Sequence, residues 1–236
     1  GLLGSLLGLR ASLGPLGILY TREPGIVGML APLRGLLGAR IVLEIRELTG
    51  DELKPGTRSF ARLTRAFAAA AGISVGTEHL RQDMIRLFGL PEGKIAVIPN
   101  GCDAGVPDAP GDAPGGALRI LYTGQMYDWK GSDLLLSAFA RLDREAPLRL
   151  VMAGGLPEDL ARLRALAAAL GIADRVDFTG FLPPLEAARL QRTADILVIP
   201  TLDTEAGRYP LTVKIFEYMV AGRPIVATRI PANEEI

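Results

Sequence analysis

From residue 118 to the end of the chain, short β-rich runs alternate with helical patterns, and no other feature restricts the fold as much. The runs are LRILYT, LRLVMAG, RVDFTG, DILVIP and RPIVAT. Strands separated by helices predict a parallel sheet, because a parallel neighbour is reached only through a crossover. The intervening segments carry helix punctuation. Ser132 and Asp133 open LLLSAFARL, and Pro157 opens EDLARLRALAAALG. In the latter, Leu160, Leu163, Ala167 and Leu170 recur at helical spacing and predict one apolar stripe facing the sheet.

Residues 1–103 show a looser version of the same alternation. GILYT, ARIVLEI, GISVG and KIAVIP read as strands, with helices near 24–37, 58–71 and 77–88. Between the halves, AGVPDAPGDAPGG has neither apolar period and reads as an exposed linker. The expected organisation is α/β: part of one Rossmann-like lobe over 1–104, a linker over 105–117, and a second lobe over 118–236. The opening GLLGSLLGLR resembles the tail of a helix, and Arg10 interrupts it far short of the ~20 apolar residues that span a bilayer. No methionine starts the chain and PANEEI follows directly on a strand, so the expectation is a fragment with an incomplete amino-terminal lobe.

About half of the 236 residues are apolar, enough for one large core or two small ones. Lys plus Arg and Asp plus Glu both number 26, which removes the positive field that a nucleic-acid binder uses and points to a small-molecule partner. One cysteine, Cys102, makes no internal disulfide, and one histidine, His79, leaves too few soft ligands for a protein-built zinc site. A reducing cytoplasm is the expected compartment.

Two stretches carry the chemistry. In TGQMYDWKGSD, Gly124, Lys130 and Gly131 fall at the carboxyl edge of the sheet, where open α/β folds bind ligands. Glycine lets backbone approach an anion, and a lysine stabilises a departing diphosphate. Taken alone, a lysine in a surface loop is ordinarily just solvated. In GRYPLTVKIFEYMVAGRPIVAT, Pro210 and Thr212 start a helix that Gly222 stops. Val213, Phe216 and Val220 are its expected core face, with Lys214, Glu217 and Ala221 on another stripe. Lys214 and Glu217 are an exposed ion pair or part of a site; the helix start at the end of DILVIP favours the site, since its N–H groups face the ligand edge. Asp203 and Glu205 are expected in the loop leading to this helix rather than on a metal, Trp129 packs against its own loop, and His79 is a cap or surface residue.

The runs LYTGQMYDWKGSD and KIFEYMVAGRPIVAT, with IPNGCD, VMAGG, VDFTGFLP and SVGTEHLRQDM, resemble the retaining glycosyltransferases of family 4, and the likeness extends from about Tyr20 to the end. The resemblance implies a GT-B fold of two Rossmann-like lobes and transfer of a sugar from a nucleotide diphosphate sugar. It implies that Lys130 grips the diphosphate and Glu217 the ribose. The earlier glutamate of the family's Glu, seven residues, Glu motif falls at Tyr209, and Gln125 stands where an arginine often follows the strand glycine. Lys214 or the N–H groups of Leu211, Thr212 and Val213 are expected to compensate. Arg46 stands where many relatives carry a histidine near the reacting carbon; it bonds a sugar hydroxyl or a donor phosphate, or is a strand-end arginine paired with Glu44 or Glu47. The expected catalytic set is Lys130, Glu217 and Arg46, and the donor-binding set adds Gly124, Gln125, Phe181 and Tyr209 to the helix residues already named. Backbone near Gly180 and Phe181 is the expected reader of the base. Neither metal nor cofactor is implied. The expected acceptor is a glycan, a lipid or a small molecule, and the Leu- and Ala-rich helices leave room for peripheral contact with a lipid-linked acceptor at the inner face of a membrane. A sugar-nucleotide epimerase on the same fold, or a degenerate homologue that binds without transfer, are the alternatives.

Overall fold

The structure, a computed structural model, describes residues 1–103 and 116–236, so most of the expected linker, 105–115, lies outside the described residues. The chain divides into two compact units, Gly1–Pro99 and Asn100–Glu234. Asn100 groups with the second unit, where its Nδ2 donates to the Leu211 carbonyl at 2.7 Å.

The first unit runs α1 (Leu2–Leu13), β1 (Gly17–Thr21), α2 (Pro24–Leu30), α3 (Arg34–Leu37), β2 (Ala39–Ile45), α4 (Arg58–Ala69), β3 (Gly72–Val75), α5 (Glu78–Phe88) and β4 (Ile95–Val97). The four strands form a parallel sheet in the order β1-β2-β3-β4. Alternate residues Ile41, Leu43 and Ile45 of β2 are buried, as are Leu63, Ala66 and Phe67 on α4. Thr57 and Thr77 cap α4 and α5 by accepting the N–H of Phe60 and Leu80. The helix expected over 24–37 is broken into α2, a 3-10 turn at Ala31–Leu33 and α3. Pro32 removes a backbone donor in the middle of that stretch, and Gly28 and Gly35 weaken it further.

The second unit runs β5 (Leu118–Thr123), α6 (Ser132–Phe139), β6 (Leu148–Ala153), α7 (Pro157–Ala169), β7 (Val176–Gly180), α8 (Pro184–Arg192), β8 (Ile196–Ile199), α9 (Glu205–Arg208), α10 (Val213–Ala221) and β9 (Ile225–Ala227). All five expected strands pair in parallel, in the order β7-β6-β5-β8-β9. Helices cover both faces of the central strands, which is why LVMA of β6 and ILVI of β8 read as apolar runs, while the edge strand β7 alternates buried and more exposed residues. Ile120, Tyr122, Leu150 and Met152 pack with α6 and α7, while Leu121, Val151, Leu197 and Ile199 pack with α10. The order reverses between β5 and β8, because β6 and β7 build outward on one side and β8 returns on the other. At such a reversal the crossovers leave on opposite faces and a crevice opens at the strand carboxyl ends.

One expectation about α10 is corrected. Its core face is Ile215, Tyr218 and Ala221, whereas Val213 is exposed and Phe216 only half-buried. The sequence offers apolar residues on several sides of this helix, and Tyr218 outcompetes Val213 and Val220 because its phenol reaches a buried partner on β5. Among the described residues, no helix is long and apolar enough to cross a membrane.

Candidate functional site

The crevice at the β5–β8 reversal is a cleft of about 900 Å³, within the usual size of a small-molecule site, and every residue lining it belongs to the second unit. Its floor is main chain. Gly124 ends β5 at φ 138° and Gly154 follows β6 at φ 112°; a Cβ on Gly154 would lie 2.2 Å from the Gly124 carbonyl oxygen. Only glycine permits both that dihedral and that approach. The loop then turns through Asp128–Lys130 to Gly131, where a Cβ would meet the Pro200 carbonyl oxygen at 1.9 Å. Packing of this loop on the end of β8, joined by Leu202 N–H donating to the Trp129 carbonyl at 2.9 Å, aims Lys130 into the cleft.

Lys130 holds its Nζ 3.9 Å from the centre of the Trp129 ring. Burial, together with the nearby Lys214 ammonium, brings the Lys130 amine down to about 8. Lys214 donates to Glu217 Oε2 at 2.9 Å, one turn along α10. Its Cε lies 3.5 Å from where a Gly124 Cβ would be, so its chain crosses directly over the bare end of β5. The first turn of α10, at Thr212, Val213 and Lys214, also lines the cleft and presents the positive end of the helix dipole. Tyr218 fixes that helix to the sheet by accepting the Thr123 N–H at 2.9 Å. Two ammonium groups, a helix N-terminus and a glycine floor are together suited to a multiply charged anion such as a diphosphate.

Of the expected donor-binding residues, Gly124, Gln125, Lys130, Phe181, Thr212, Val213, Lys214 and Glu217 line this cleft. Phe181 is 76% exposed at its mouth. Tyr209 and Leu211 do not line it: both are buried, Leu211 in the core beneath α10. Tyr209 directly follows the short helix α9 and is 2% exposed. Arg46 belongs to the first unit, where its Nε lies 3.9 Å from Glu44; Glu44 also accepts from Tyr20 and from Arg22 at 2.9 Å. Asp203 pairs with Arg208 at 3.4 Å, and neither Asp203 nor Glu205 lines the cleft. Trp129 does more than pack on its loop, since it lines the cleft under Lys130. Thr77, not His79, caps α5, and His79 Nε2 lies 3.7 Å from Asp83.

Sequence reasoning missed Gln191. Its side chain is buried, and Nε2 donates to both Thr123 Oγ1 at 3.1 Å and Glu217 Oε2 at 3.3 Å. In LEAARLQRTAD it looks like any exposed helical polar residue, and nothing local marks it. Cys102 and Asp103 also line the cleft; they lie in the IPNGCD run that carried part of the resemblance.

The profile of the family described as Glycosyl transferases group 1 matches residues 117–236, and that of Glycosyltransferase Family 4 matches 18–106. D-inositol 3-phosphate glycosyltransferase of Acidothermus cellulolyticus is 29% identical over 199 residues, covering 77% of this chain and 43% of the relative. The enzyme of the same name from Xylanimonas cellulosilytica is 31% identical over 201 residues, covering 77% and 46%. The chain thus spans less than half the length of these relatives. Among solved structures, Anabaena HepE in complex with UDP superposes with a TM-score of 0.78 at 16% identity, over 99% of this chain and 65% of that one. Sucrose-phosphate synthase from Thermosynechococcus elongatus gives 0.75 at 19% identity, over 99% and 61%. At these identities the superpositions establish the two-sheet α/β fold alone.

Proposed function

We propose, on the premise that this chain belongs to the group 1 glycosyl transferases, that it carries the donor-binding machinery of an enzyme moving a sugar from a nucleotide diphosphate sugar to an acceptor, with retention of configuration. The observation that carries the reading is the meeting of Lys130, Lys214, Glu217 and the first turn of α10 in one cleft at the reversal of strand order. Lys130 and Lys214 hold the diphosphate, and Glu217 takes the ribose. Lys214 stands in for the cation missing at Gln125: its chain crosses over Gly124, the residue before that position. As the bond to the sugar breaks, negative charge builds on the leaving phosphate, and both ammonium groups are already in place to stabilise it. These cations and the α10 dipole meet that demand without a metal.

HepE was solved with UDP, and the curated relatives act on D-inositol 3-phosphate by name. A uridine nucleotide donor and a hydroxylated acceptor, glycan or lipid-linked, are therefore the first choices to test, in a protein working on the cytoplasmic side. Arg46 serves the acceptor side, bonding a sugar hydroxyl.

The experiment is turnover of a panel of nucleotide sugars by the full-length protein, with Lys130→Ala and Glu217→Ala beside the wild type. Both variants are expected to lose turnover severely, and normal turnover in both would refute the assignment. Donor binding with neither transfer nor hydrolysis across a broad acceptor panel moves the reading to a degenerate binding homologue. Epimerised free nucleotide sugar would move it to an epimerase.

A further inference from the structure

Glu217 is held from two sides. Lys214 holds it from its own helix at 2.9 Å, and Gln191 reaches it from α8, a different element, at 3.3 Å. Gln191 is 3% exposed, so its amide has been taken out of water, and both N–H groups of Nε2 have protein acceptors, Thr123 Oγ1 and Glu217 Oε2. The carboxylate itself fixes which end of the amide faces it, because turning the amide over would set its carbonyl oxygen against a negative oxygen. Thr123 in turn shares a hydrogen bond with the Tyr218 hydroxyl at 3.3 Å, so the chain of contacts runs from the end of β5 through α8 to both sides of α10.

We propose that Gln191 is a positioning residue for donor recognition, setting the rotamer of Glu217 so that its second oxygen is presented to the ribose hydroxyls. The proposal rests on the reading that Glu217 takes the ribose. The reason is geometric. Lys214 has a long flexible stem and is also needed by the phosphates, so it restrains Glu217 loosely and less so once an anion arrives. Gln191 is buried in the wall of the cleft with both amide N–H groups already taken by Thr123 and Glu217. A carboxylate that keeps one buried amide donor loses less freedom on binding than one that must be recruited from several rotamers.

The test is calorimetric binding of UDP, GDP and ADP to the full-length protein. The nucleotide that binds is then compared with its 2′,3′-dideoxy form and with inorganic pyrophosphate. Gln191→Met keeps the volume and removes both donors. It is expected to shrink the preference for the ribonucleotide over the dideoxynucleotide by roughly five- to tenfold, with pyrophosphate affinity unchanged. Gln191→Glu, which faces Glu217 with a second carboxylate, is expected to lose the same preference at pH 8 and regain part of it at pH 5, as one carboxylate protonates. Unaltered preference in the Met variant, or equal weakening of the ribonucleotide and pyrophosphate, would overturn the proposal. Should Glu217→Gln keep the full preference, it is the ribose assignment that fails. A loss in Glu217→Gln without a loss in either Gln191 variant sinks the positioning role alone. Failure of the wild type to bind any of the three nucleotides overturns both.

Discussion

The Lys214 ammonium lies 2.9 Å from the Glu217 carboxylate while its own charge presses on the amine of Lys130, so one side chain couples both of the groups expected to grip a nucleotide. Lys214→Met should act at a distance. Removing its charge relieves a repulsion and raises the Lys130 pKa from about 8. The measurement is the titration of Lys130 by isotope-edited NMR; a value that stays put shows that burial alone sets it.

The lowered amine also makes donor binding sensitive to pH. An anion favours the charged lysine, so binding should draw in a proton and affinity should fall as pH rises through about 8, by at most about tenfold per unit. Calorimetry in two buffers of different ionisation enthalpy reads the proton directly. No proton uptake at pH 8 would show that Lys130 does not meet the phosphates. For the unliganded fold the sign is opposite. The folded value lies below the ordinary 10.5, so the unfolded chain binds more protons in between, and this group adds stability as pH climbs from about 8 to 10.5.

Gly154→Ala should damage the floor of the cleft. Its Cβ has nowhere to go at 2.2 Å from the Gly124 carbonyl, and φ 112° is unfavourable for any other residue. A loss of about 2–4 kcal/mol is expected in urea unfolding, from strain and displaced backbone together. A loss under about 0.5 kcal/mol, the level of an ordinary surface substitution, would mean that the two strand ends can part freely.

Tyr218→Phe tests what fastens α10. The phenol is fully buried and accepts the Thr123 N–H, so deleting the oxygen strands a buried donor at the end of β5, at about 1–3 kcal/mol. Because this contact fastens to the sheet the helix whose first turn lines the cleft, donor affinity should drop with stability. Donor affinity equal to wild type in a destabilised Tyr218→Phe protein would separate the two.

These expectations show which parts of the molecule a sequence can announce. The central strands of the second unit were legible because strands covered on both faces carry apolar runs such as LVMA and ILVI, and Lys130 because it sits in the loop between β5 and the next helix. The inward face of α10 was not. Val213 and Ile215 look alike on paper, and the choice between them falls to Tyr218, whose partner on β5 lies 95 residues away in sequence. Gln191 was invisible for a related reason: its partners, Thr123 on β5 and Glu217 on α10, are not written into α8. Tyr209 was placed by the family motif, eight positions before Glu217, and nothing in the run RYPLT announces that its side chain is buried.

Because Gly124 and Gly154 leave the bottom of the crevice as bare polypeptide, its contour is indifferent to what side chains surround it. Drift in ligand preference, or an engineer's attempt to redirect it, must then proceed along the rims, at positions such as Phe181, Gln125 and Val213, while the glycine trough persists unaltered.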